Sequence, residues 1–159
     1  MNQDQITLIN SLVAILQVDG VTEGRGDMNY IVSNMVAKVA LAADEYFITK
    51  SALEQVNSMG VDITKTITRS RLYGKKKGFV YEHSLPCSIV RQRLYQNPQL
   101  ASDILQDTGV VVIVTREEDN LLNRQFKNTT PGDSVFARYD ACGIELSDQK
   151  VSVKGAICR

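Results

Sequence analysis

The chain has one histidine, His83, no tryptophan, and only three cysteines in 159 residues. Each scarcity removes a class of chemistry. With aromatics at 6%, there are few rings on which nucleic-acid bases could stack, so a base-stacking binder is not expected. Cys87, Cys142 and Cys158 are odd in number and far apart in sequence. They build neither a disulfide framework nor a cysteine-rich zinc site, and a reducing cytoplasm is the expected home. No basic stretch followed by an apolar run opens the chain, so no signal peptide is expected. No apolar run approaches the length of a membrane span.

What is present suits one domain over residues 1–159 with a real core: 43% apolar and 23% charged residues. The net charge is zero but unevenly spread. Residues 1–60 carry 3 basic and 7 acidic residues, residues 61–98 carry 8 and 2, and residues 99–159 carry 7 and 9. A basic island therefore sits in the middle of a mildly acidic protein and predicts an anion-facing surface.

The first 60 residues read as a helical part. Ile6, Ile9, Val13 and Leu16 form one helical face over residues 4–18, and Asp19-Gly20 ends it. A second helix is predicted from Asp27 or Asn29, with a stripe of Ile31, Met35, Val39 and Ala42. A third runs from Lys50 to Met59, capped by Thr49 and stopped by Gly60.

Residues 61–159 read as an α+β part. Residues 63–68 alternate and are rich in β-branched side chains, and residues 79–82 form a second strand. Pro86 and Pro98 each open a helix. Residues 109–114, Gly-Val-Val-Val-Ile-Val, are the clearest buried strand. Thr115 and Glu118 form a capping box for a polar helix. Thr130-Pro131-Gly132-Asp133 is a turn, a short helical piece follows through Arg138-Tyr139, and residues 151–153 suggest an edge strand flanked by Lys150 and Lys154.

Chemistry concentrates at Glu82-His83, at the end of a predicted strand, with Pro86 three residues on. A histidine beside a carboxylate suits a general base next to a metal ligand. With the buried strand and the capped helix that follow, residues 69–126 resemble the HNH, or ββα-metal, nucleases. The resemblance implies a small mixed core of two strands and a helix clasping one divalent cation, magnesium or manganese. It implies that His83 activates water and that Glu82 and one of Asp119, Asn120 or Asn123 ligate the metal. Oxygen ligands of this kind suit those hard cations. Arg69, Arg71, Lys75, Lys76 and Lys77 lie just upstream, with no acid between residues 63 and 81, and are expected to hold flanking phosphates. The expected activity is metal-dependent phosphodiester hydrolysis, in DNA. Two rivals stand beside it. The zero net charge and the lack of a second histidine favour a non-enzymatic binding or regulatory protein that forms a homodimer through its N-terminal helices. The other rival is an RNase-like toxin that uses His83 without metal.

Overall fold

A computed structural model describes residues 1–72 and 77–155. The described part is an α+β fold built on a five-stranded mixed sheet. In chain order its strands are β1 (Glu45–Thr49), β2 (Ile67–Thr68), β3 (Phe79–His83), β4 (Val111–Thr115) and β5 (Leu146–Lys154). The helices are α1 (Gln3–Leu16), α2 (Gly26–Leu41), α3 (Lys50–Ser58), α4 (Cys87–Gln96), α5 (Ala101–Thr108), α6 (Arg116–Phe126) and α7 (Ala137–Ala141). The spatial strand order is β2-β5-β1-β4-β3. The central pair, β1 and β4, is parallel, β3 runs antiparallel to β4, and β5 runs antiparallel to β1 but parallel to β2.

Local signals place several elements where the sequence suggests. The Asn2 side chain accepts from the Gln5 N–H at 2.9 Å and starts α1. Its amide also donates to the Ala42 carbonyl and to Asp44, each at 2.7 Å, which ties that helix start to the segment entering β1. Thr49 caps α3, and Thr115 with Glu118 forms the complete capping box of α6. β4 is buried at all five positions, as a strand covered on both faces must be.

Three expectations change. The segment 1–60 is not helical throughout, because β1 lies inside it and pairs with β4 and β5 at the middle of the sheet. Tyr-Phe-Ile-Thr is strongly β-prone, but five residues between two helices leave little alternation to read. The helical layer is instead assembled from α1, α2, α4 and α5, around Leu12, Leu16, Val32, Val36, Leu94 and Leu105. Nor is β5 an edge strand. It runs nine residues between β1 and β2, with Val151 and Val153 buried. Of residues 63–68, only Ile67 and Thr68 pair.

The sheet is covered on both faces. Tyr46, Ile48, Tyr81 and Ile113 pack with Ala40 of α2 and with Ala52 and Val56 of α3. On the other face, Val112 and Val114 pack with Leu122 of α6 and Tyr139 of α7. No described helix is long and apolar enough to cross a membrane.

Candidate functional site

β3 is an edge strand paired antiparallel with β4, with Glu82 opposite Val112 and His83 opposite Val111. Successive side chains of a strand point to opposite faces. Phe79 and Tyr81 therefore belong to the α2–α3 face and Val80 to the α6–α7 face. The same alternation separates Glu82 from His83: residues adjacent in sequence stand on opposite sides of the sheet.

On the α6–α7 face, Glu82 Oε1 accepts from Arg138 Nη2 at 2.9 Å. Arg138 is 1% exposed and donates from all three guanidinium nitrogens. Nε donates to the Ser84 carbonyl at 3.1 Å, Nη1 to the Phe126 carbonyl at 3.2 Å, and Nη2 also to the His83 carbonyl. The Phe126 carbonyl belongs to the last residue of α6, where helices leave acceptors unfilled and where a cation is favoured. Beside this knot lies Tyr139, fully buried. Burial raises its hydroxyl pKa well above the usual tyrosine value, and the negative charges of Glu82, Glu118 and Asp119 push it in the same direction.

On the opposite face, His83 Nε2 donates to the Ala37 carbonyl of α2 at 3.3 Å. A carbonyl only accepts, so Nε2 carries the proton. Burial pushes the His83 pKa below 6.5 and favours the neutral ring. The imidazole thus fastens the edge strand to α2.

The α6 candidates are placed differently from one another. Asp119 is buried, accepts from Asn123 Nδ2 at 2.9 Å, and lies 3.7 Å from Arg116. Asn123 spends the same amide on the Asp119 backbone carbonyl at 2.9 Å. Asn120 is exposed. Among the described residues, no three His, Cys, Asp or Glu side chains converge as a metal cage. Two open hollows of about 550 and 340 Å³ lie near α7 and the start of β5, and neither is lined by Glu82, His83, Asp119, Asn120 or Asn123.

The expected phosphate-holding run divides as well. Arg69 is buried, not surface-facing. It donates to the carbonyls of Ala42 (2.9 Å), Ala43 and Gly155, and to the Tyr46 hydroxyl (3.2 Å). Lys77 folds back onto the carbonyls of Ser70 and Arg71 at 2.9 and 2.8 Å. Arg71 is exposed. Lys75 and Lys76 lie outside the described residues, as does Cys158. Burial pushes the Cys87 thiol up to about 11, which keeps it protonated and unreactive near neutral pH.

A second convergence was not foreseen. The neighbouring parallel strands β1 and β4 end in Ile48-Thr49 and Val114-Thr115, and each threonine caps the helix that follows. Glu118 joins the two ends: Oε2 accepts from Thr49 Oγ1 at 2.7 Å and from the Thr115 N–H at 2.9 Å. The repeated strand–threonine–cation pattern, Ile-Thr-Lys and Val-Thr-Arg, was the available signal. No protein-family model, curated protein or solved structure matches this chain.

Proposed function

We propose that the chain is a non-enzymatic binding protein that forms a homodimer through the outward sides of α1 and α2. One observation supports this most. Of the seven large apolar side chains exposed among the described residues, five lie within the first 31: Met1, Ile6, Val18, Tyr30 and Ile31, with Tyr30 73% exposed. Ile6, Tyr30 and Ile31 lie on α1 and α2, and Met1 and Val18 flank α1; scattered exposed apolar residues are ordinary, but such a concentration is the usual mark of an interaction surface. The inward sides of these helices are already spent on the core, through Ile9, Leu12 and Leu16 of α1 and Val32, Val36 and Val39 of α2. The reading also agrees with Glu82 and His83 serving the fold, one tied to Arg138 and the other to α2.

Sedimentation equilibrium tests it. The wild type is expected to be dimeric, and the Tyr30→Glu/Ile31→Glu double variant monomeric with unchanged far-UV circular dichroism. Because residues 1–60 are acidic in balance, added salt should tighten the dimer by screening repulsion between copies. A wild-type chain that stays monomeric at high concentration defeats the reading.

A second reading, a metal-dependent nuclease acting on DNA, has one observation in its favour. β3 and β4 pair antiparallel, α6 packs on both, and Glu82 is on the face that α6 covers. Its test is plasmid cleavage that stops with EDTA. RNA cleavage that survives EDTA would instead favour a metal-independent RNase using His83.

A further inference from the structure

On α4, Ser88, Arg91 and Tyr95 fall at i, i+3 and i+7 and share one helix face. Arg91 faces α2: Nη1 donates to Ser33 Oγ at 2.7 Å and to the Asn29 carbonyl at 3.3 Å. Asn29 and Ser33 are one helical turn apart, and Ala37, which accepts from His83, is one turn further. A polar seam therefore runs between two helices that also share an apolar cluster.

The seam has more donors than acceptors. Arg91 Nε, Ser88 Oγ and Tyr95 OH are shielded from solvent and have no hydrogen-bond partner among the described residues. They are three of five such side-chain atoms there, and all three lie on one face of one helix. Arg91 is also without an ion-pair partner among the described residues, unlike Arg138. Tyr95 follows Arg91 by one turn on the same helix face. A guanidinium offers donors only, and each hydroxyl can donate one proton. One positive charge with hydroxyl donors on the same helix face and on the facing Ser33 suits a tetrahedral oxyanion with several acceptor oxygens. The surrounding sequence, residues 61–98, carries eight basic residues against two acidic ones. We propose that the seam between α2 and α4 binds a phosphoryl group, held by Arg91 and by the hydroxyls of Ser33, Ser88 and Tyr95.

This goes beyond the dimerisation reading and does not depend on it, because it concerns the flank of α2 that faces α4. The test is titration of the full chain with inorganic phosphate at constant ionic strength, followed by amide and arginine Nε–H NMR shifts. Saturable shifts are expected at Ser33, Ser88, Arg91 and Tyr95. Tyr95→Phe and Ser88→Ala should each weaken binding by about threefold, the size of one neutral hydrogen bond, and Arg91→Gln by about tenfold or more. The first two substitutions are mild and decide the matter if Arg91→Gln fails to fold. A parallel titration with glycerol phosphate separates the sources: tighter binding points to a phosphate ester, weaker binding to the free ion. Shifts that never saturate, that chloride reproduces, or that the Tyr95→Phe and Ser88→Ala variants leave unchanged would overturn the proposal.

Discussion

Arg69 and Arg138 hold opposite sides of the same end of the sheet, and they do so differently. That end is where β1 and β4 begin and where β2, β3 and β5 finish. Arg69 ties the ends of β2 and β5 to the entry of β1 using three carbonyls and the Tyr46 hydroxyl, with no carboxylate. Arg138 ties the end of β3 to the end of α6 with three carbonyls and the carboxylate of Glu82. Both exploit a planar fork that a lysine cannot imitate. The difference shows that oriented backbone dipoles can hold a buried cation at one corner, while the more deeply enclosed corner adds a counter-charge. Arg138 is 1% exposed and Arg69 8%.

The comparison can be broken from either side. Arg138→Ala should have the largest effect. It leaves the Glu82 carboxylate uncompensated against the interior, at a cost of about 3–5 kcal/mol, measurable by urea unfolding. Arg69→Ala removes a cation without stranding an anion, so about 2–3 kcal/mol is expected, from carbonyls that lose their donor. An equal loss from both substitutions would mean that the counter-charge is irrelevant. Glu82→Gln sharpens the question, because the amide oxygen can still accept from Arg138 and the three carbonyls remain. If carbonyls suffice at this corner as they do at Arg69, the cost is about 1–2 kcal/mol. A loss as large as that of Arg138→Ala would show that the ion pair itself holds the corner.

The smallest effect comes from the other face of β3. The folded-state pKa of His83 is depressed by burial, so below about 6.5 the unfolded chain binds a proton that the folded chain refuses. Stability is whole above that pH and falls as pH drops from it toward the folded value. The slope is at most about 1.4 kcal/mol per pH unit, which amounts to about 1 kcal/mol between pH 7.5 and 6. His83→Gln should remove this slope from the unfolding free energy. A slope that survives the substitution belongs to other groups.

The same strand marks how far the site could be read. Glu82-His83 was legible as a chemical pair and as a strand end. Taken together, those two readings already separate the side chains, because neighbours in a strand face opposite ways. Arg138 was legible as part of a short helical piece, but its carboxylate partner is 56 residues away in sequence. No local pattern carries that information. Arg69 read as part of a phosphate-holding run because its neighbours are basic, whereas its donors are spent on the Tyr46 hydroxyl and on carbonyls at two strand ends, the entry of β1 and the exit of β5.

By itself, the sequence determined what depends on neighbours within a turn or a strand. The threonine caps at Thr49 and Thr115, the capping box, the all-apolar β4 and the helices opened after Pro86 and Pro98 follow from local hydrogen bonding and apolar spacing. Tertiary structure alone decided the rest. It made β1 a central strand, put β5 inside the sheet, buried two arginines, and drew α4 and α5 into one layer with α1 and α2. These are choices of partner between groups distant in the chain. They are settled by which apolar faces can be covered together and which buried charges can find acceptors.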